Sequence, residues 1–295
     1  MISINQNQTG YLLVALAAIL FAISGACAKA LFNAGVTAYQ LIQLRTTLAF
    51  MGLILWLAIR NPSHLKISLS DLPYFICLGV FGIGAAQFFY LFAISKINVA
   101  AAILLHYTGP VFVALYTACI QRQAVSSKVL AAMVGTLVGS YFVVGAYDLE
   151  MLSLNRVGIV GGILAAMAFA TYSLLSAHGM KKYSSWTVVL YGMLFAALVW
   201  HVLFPPLEAF RPDYSRQQWL MILYIGLGGT IVPFGLYFEG IKRIKPTYAS
   251  ITATLEPIAA GLVAAMFLGE HMALLQIFGG LLVVVSVVWL QIMHS

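Results

Sequence analysis

Charge is the scarcest commodity in this 295-residue chain: 8% of its residues are Asp, Glu, Lys or Arg, against about 25% in a soluble domain. With 62% hydrophobic residues and a mean hydropathy of +0.99, there is too little polar surface to cover a water-soluble globule. No polar stretch is long enough for a soluble domain between the apolar runs. Cysteine is also rare. Cys27, Cys77 and Cys119 each lie within an apolar run, which argues against a disulfide framework or a metal cluster. The sequence holds no P-loop, dinucleotide fingerprint, HExxH or CxxC pair. Asp is absent from every apolar run long enough to span, and no nucleophile triad is visible. Neither an enzyme nor a cofactor or metal is expected. The net charge of +7 comes from so few residues that it reads as basic loops at an anionic membrane face; nucleic acid is not expected as a partner. The N-terminus, MISINQNQTG, lacks a basic n-region and a clear cleavage site, so the first apolar run is expected to be a retained helix, not a signal peptide.

What the chain does have is long apolar runs. A spanning helix needs roughly 20 apolar residues, and ten candidates fit. They are Tyr11–Leu31, Tyr39–Ile59, Pro73–Ser95, Val99–Ile120, Val129–Ala146, Val157–His178, Trp186–Phe204, Trp219–Ile241, Thr247–Leu268 and Leu274–Ile292. Alternate loops divide the basic residues nine to five. Arg60, Lys66, Arg122, Lys128, Lys181, Lys182, Lys242, Arg243 and Lys245 fall on one side, and Lys29, Lys96, Arg156, Arg211 and Arg216 on the other. The richer side is expected to be cytoplasmic, which puts both termini inside.

A shift of 147 residues lays Gly79 on Gly226, Gly82 on Gly229, Tyr90 on Tyr237, Ile97 on Ile244 and Pro110 on Pro257. A shift of 148 lays Phe21-Ala22 on Phe169-Ala170. Matched Gly, Tyr and Pro at one offset point to two halves, 1–150 and 151–295. Five spans per half is an odd number, so the second half enters the membrane upside down. The expected fold is thus an all-α polytopic membrane protein, ten transmembrane helices as two inverted five-helix repeats, a layout that places substrate sites near the midplane between the repeats.

Candidate site residues are those whose presence in lipid is expensive. A carboxylate at mid-membrane costs about 2.5–3.5 kcal/mol on insertion scales, and Glu256 followed by Pro257 sits in an apolar run. Tyr248, Thr252 and Glu256 are spaced to share one helix face. In the first half, Gly109-Pro110 takes the matching place, one turn beyond His106, with Tyr107 beside it. Two proline-loosened helices in matched positions are a pointer to a transport site. Glu256 suits a cationic group or a proton, and His106 a proton or a hydrogen bond to substrate; the competing reading makes both structural. Gln87, Tyr90 and Tyr237 are candidate cavity lining. Arg45, a third of the way into the second span, could bind substrate, pair with a carboxylate or carbonyl, or snorkel. Glu239 reads as a local ion pair with the basic loop after it. In the first span Ala18, Ala22, Gly25 and Lys29 share a face of small residues that permits close helix approach. Gly135 and Gly139 form a GxxxG that reads as helix packing.

Leu255–Val288, LEPIAAGLVAAMFLGEHMALLQIFGGLLVVVSVV, resembles the closing segment of the EamA-type branch of the drug/metabolite transporter superfamily. Ala102–Cys119 resembles its first-half counterpart, and QLIQLRTTLAF around Arg45 resembles that family's arginine-bearing second helix. The resemblance implies ten helices in two inverted repeats and a central cavity lined by spans 1, 3, 4, 6, 8 and 9. It implies a secondary transporter of small metabolites, amino acids or related compounds, often outward, working by alternating access in the bacterial inner (plasma) membrane. A passive facilitator of the same fold, or a carrier of nucleobases or cationic drugs, stays open as an alternative, as do proton coupling and a monomer or homodimer. One departure stands out. Leu268-Gly269-Glu270 matches the family in the second half, whereas Gln121-Arg122-Gln123 stands in the first; Glu270 is expected to be a structural helix-end group.

Overall fold

Backbone amides cannot be left unpaired in hydrocarbon, so a chain this apolar has to close its hydrogen bonds within helices. The computed structural model describes residues 6–96, 99–147, 156–268 and 273–294, and among these every regular element is helical. Glu270, His271 and Ile97 lie outside the described residues.

The elements are α1 (Gln6–Asn33), α2 (Ala38–Arg60), α3 (Leu72–Cys77), α4 (Ala85–Lys96), α5 (Val99–His106), α6 (Gly109–Cys119) and α7 (Ser127–Val143), followed by α8 (Arg156–Gly179), α9 (Ser185–Leu203), α10 (Arg216–Leu223), α11 (Val232–Thr252), α12 (Glu256–Leu268) and α13 (Leu274–His294). Local sequence explains several of their ends. Thr37 with Gln40, and Ser215 with Gln218, form reciprocal capping boxes at α2 and α10, each satisfying two otherwise orphaned amides. Ser126 and Ser184 cap α7 and α9.

Eight helical stretches among the described residues are long and apolar enough to cross a membrane. The protein is therefore a multi-pass membrane protein. α7 falls just short, at 17 residues. Arg216–Val263 is continuous over 48 residues and takes in the whole of the expected span Trp219–Ile241 and most of Thr247–Leu268. Within it the backbone breaks at Lys245 (φ 68°, ψ 158°), immediately before Pro246. A proline restricts the residue before it, so the break falls where the sequence changes from one expected span to the next.

Two π-helical segments, Leu78–Gly84 and Tyr224–Ile231, join α3 to α4 and α10 to α11. Such wide turns are rare and tend to occur where function needs a displaced backbone. Moved by 147 residues, the first would cover 225–231. The Gly79/Gly226 and Gly82/Gly229 pairs of the sequence fall inside these two segments.

The core is built where helices approach closely. The GxxxG glycines of α7 pack within the same chain. A Cβ at Gly139 would stand 2.8 Å from the Gly279 carbonyl oxygen, and one at Gly279 2.6 Å from both the Gly139 carbonyl and the Phe142 Cβ. This contact fastens α13 to α7. Around the middle of the molecule a second kind of core appears, in which aromatic rings from α1, α8 and α11 meet: Phe21 and Phe234 stand at 5.1 Å between centroids, Phe169 and Tyr172 at 5.2 Å, and Tyr172 and Phe234 at 5.6 Å.

Candidate functional site

Two helix breaks open this aromatic centre to polar groups. α5 ends at His106, and after a two-residue turn α6 begins with Gly109-Pro110. α11 ends at Thr252, and after the 3₁₀ turn Ala253–Leu255 α12 begins with Glu256-Pro257. A proline costs little in the first turn of a helix, where its missing donor would be unpaired in any case. Gly109 is also needed for space: a Cβ there would stand 2.5 Å from the Phe169 ring. The break puts His106 beside Tyr90, Tyr107 and Phe169, with ring centroids at 5.1, 5.5 and 5.3 Å.

The cavity so formed has about 850 Å³ of atom-free space, counting its open side. α1 supplies Phe21, Ser24 and Gly25; α2 supplies Arg45; α4 and α5 supply Gln87, Tyr90 and His106. From the other half of the chain come Phe169, Tyr172, Phe234, Tyr237 and Glu256.

Its polar groups have unequal partners. Arg45 is held from behind: its Nε donates to Thr230 Oγ1 at 2.7 Å and its Nη2 to the Gly229 carbonyl at 3.4 Å. Both acceptors belong to the second π segment, and Thr230 is itself anchored to the Ile225 carbonyl at 2.6 Å. The Glu256 carboxylate faces Tyr107 and, across the cavity, Arg45. Arg45 and Glu256 are not an ion pair; among the described residues the ion pairs are Lys182–Asp71 and Arg243–Glu239. Both amide atoms of Gln87, the Nδ1 of His106 and the Ser24 hydroxyl are buried and make no hydrogen bond among the described residues, while the Tyr107 hydroxyl has Glu256 as its one neighbour for a hydrogen bond. Buried polar atoms are paired in the great majority of cases. Four such atoms around one cavity mark a place that water or a ligand completes. Tyr237, by contrast, is satisfied by Ser173 at 3.0 Å.

Of the residues singled out by sequence, Arg45, Gln87, Tyr90, His106, Tyr237 and Glu256 line the cavity. Tyr107 lies behind the lining, 3% exposed and facing Glu256. Pro110 and Pro257 are buried at the two helix starts. Tyr248 and Thr252 do not reach the cavity: Tyr248 packs into the core cluster that includes Tyr11, and the Thr252 hydroxyl donates to the Tyr248 carbonyl at 2.8 Å. The i, i+4, i+8 alignment with Glu256 is lost because the intervening 3₁₀ turn advances by three residues per turn, not 3.6. Glu239 is paired with Arg243 as expected. The small-residue face of α1 is partly cavity wall: Ala18 and Gly25 line it, and nothing stands within 4 Å of where a Gly25 Cβ would be. Sequence reasoning missed Ser24, Phe234 and the roles of Phe21 and Phe169. The last two were visible as a matched pair at the 148-residue shift.

The EamA-like transporter family model matches the chain twice, over residues 8–145 and 156–292. An uncharacterized transporter of Archaeoglobus fulgidus is 33% identical over 201 residues, 67% of this chain and 69% of that protein. The inner membrane transporter YicL of Salmonella typhimurium is 27% identical over 290 residues, covering 97% and 96% of the two chains. The threonine/homoserine exporter RhtA of Escherichia coli K12 is 25% identical over 274 residues, 90% of this chain and 85% of that one. A solved crystal structure with 18% identity superposes with a TM-score of 0.78 over 98% of this chain and 97% of its own, a likeness of fold. The chain belongs to the EamA-like transporter family.

Proposed function

From membership of that family, we propose that the protein is a secondary transporter that exports a small metabolite, an amino acid or a related compound, across the bacterial inner membrane by alternating access. The observation that carries this reading is the central cavity. It is bounded by helices of both halves and holds an arginine, a carboxylate and a set of unpaired buried polar atoms. A structural core would have paired them. Similarity to a threonine/homoserine exporter along most of the chain supports amino acids as the class, and the name of the Salmonella relative supports the inner membrane.

On this reading the molecule has ten spans in two inverted repeats, 1–150 and 151–295, with both termini cytoplasmic. The double family match supports the division. So do the two π segments and the two helix breaks, Gly109-Pro110 and Glu256-Pro257, which stand in register at the 147-residue shift. The nine-to-five split of basic residues supports the orientation.

The test is flux through proteoliposomes loaded with amino acids, nucleobases or cationic drugs in parallel, with and without a pH gradient. Saturable, gradient-driven efflux of an amino acid that empty liposomes do not show is the expected result. Non-saturable flux that only follows the solute's own gradient would make the protein a facilitator; no flux of any solute would remove the transporter reading.

A further inference from the structure

Arg45 and Glu256 line one cavity with opposite charges and no ion pair between them. Building on the transporter reading above, we propose that they are the two poles of a clamp for a zwitterion with a primary ammonium group beside a carboxylate. Arg45 takes the carboxylate and Glu256 the ammonium.

The two charges argue against a ligand of single sign. A cation on Glu256 would leave Arg45 without a counter-charge, and an anion on Arg45 would leave Glu256 so. An unpaired charge in a low-dielectric interior is costly. A zwitterion satisfies both and brings no net charge into the membrane.

The polarity of the clamp follows from the donors and acceptors around each pole. At Arg45, Nε and Nη2 are already committed to Thr230 and Gly229 on the second π segment. These bonds fix the plane of the guanidinium, and Nη1, which makes no hydrogen bond among the described residues, remains for a carboxylate oxygen. A guanidinium already held in place loses little freedom on binding. At the other pole, the Glu256 carboxylate takes a hydrogen bond from Tyr107 and keeps further lone pairs, and on the same cavity wall the Gln87 Oε1 accepts from no described residue. Gln87 is 8% exposed and lines the cavity with both its amide atoms unpartnered. A primary ammonium carries three N–H donors and suits such a cluster of acceptors; a quaternary ammonium carries none. The rings of Phe21, Phe169, Tyr172 and Phe234 also line the cavity and suit an uncharged side chain.

The test measures binding, so that it stands apart from the flux test. The full chain, purified in detergent, is titrated calorimetrically with L-threonine, L-homoserine, L-leucine and L-phenylalanine. Each is compared with its methyl ester, which lacks the carboxylate, and its N-acetyl form, which lacks the ammonium. Glycine betaine is included as a quaternary zwitterion. The expected result is binding of at least one free amino acid, at least about a tenfold loss on capping either end, and no binding of the betaine. In Glu256→Gln the free amino acid binds more weakly and N-acetylation costs nothing further; in Arg45→Gln the same holds for the ester. Should either variant fail to fold, the capped series on the unaltered chain decides alone. Capped forms that bind as tightly as the free amino acid, a betaine that binds equally well, or no binding by any of the four would overturn the clamp. If nucleobases or drugs are transported and amino acids are not bound, the clamp fails and the transporter reading stands.

Discussion

At the scale of single residues, cost separates the informative positions from the rest. Glu256, Arg45 and His106 were legible in sequence because each is expensive inside an apolar run, and each lines the cavity. Gln87 was visible as a polar residue, but its isolation from every hydrogen-bond partner is a fact of packing alone. Phe234 was hidden because aromatic residues make up 13% of the chain and composition cannot say which of them converge. Tyr248 and Thr252 were assigned to the site by helical spacing and lie outside it, because a 3₁₀ turn interrupts that spacing. The tightest constraint at this scale is the anchoring of Arg45. Replacing Thr230 by Val removes the acceptor at Nε. A hydrogen bond to a charged group is worth about 1.5–3 kcal/mol, so affinity for a carboxylate-bearing ligand is expected to fall by at least about tenfold in the same titration. A Thr230→Val chain that binds as tightly as the unaltered one would show that the π segment does not position Arg45.

At the scale of elements, close backbone approach and broken helices do different jobs. The α7–α13 contact is structural and remote from the cavity. A Cβ at Gly279 has no room, with backbone oxygen and the Phe142 Cβ each 2.6 Å away. Overpacking of this kind typically costs about 1–3 kcal/mol. Gly279→Val is therefore expected to lower the thermal unfolding midpoint in detergent while leaving ligand affinity intact in the fraction that remains folded. An unchanged midpoint would mean that α13 packs elsewhere. The second π segment and the breaks at Gly109-Pro110 and Glu256-Pro257 instead shape the cavity, the first by holding Arg45 and the others by placing His106 and Glu256 in its wall. The places of both π segments and of the breaks were legible as matched glycines and prolines, because few other residues tolerate those positions. The conformation of the π segments was not, since LGVFGIG and YIGLGGTI read equally well as ordinary apolar helix. The division of Arg216–Val263 likewise rests on Pro246 and on the backbone of the residue before it, Lys245.

Across the whole molecule, α2 and α9, with the segments beside them, are tied together at both ends. At one end Lys182 Nζ pairs with Asp71 at 2.6 Å, Tyr183 donates to Asp71, Thr187 Oγ1 to the His64 carbonyl at 2.8 Å, and Tyr191 to the Leu65 carbonyl at 2.7 Å. At the other end Gln43 donates to the Pro205 carbonyl at 3.1 Å and accepts from the Ala209 amide at 3.0 Å. Under the alternating access proposed above, one set opens while the other holds. Asp71→Ala is expected to change the rate of flux without changing the affinity measured by titration; a change in affinity alone would contradict a gating role. The hydrogen bond to Asp71 raises the pKa of the Lys182 ammonium above its usual value. Its contribution is fully present below the ordinary lysine value of about 10.4 and is lost only as pH rises through the higher folded-state value. Lys182 therefore adds no pH dependence to flux near neutrality.

The proposed path of substrate across the membrane is the cavity that Glu256 and His106 line. It is tested most directly by counterflow in proteoliposomes of an amino acid that the unaltered chain transports. Glu256→Gln and His106→Ala would be compared with Glu208→Gln, a change at an exposed carboxylate away from the cavity, at matched amounts of folded, inserted protein. Loss of counterflow in the two cavity variants, with Glu208→Gln unaffected, is expected; counterflow at the unaltered rate in both cavity variants would mean that substrate crosses elsewhere.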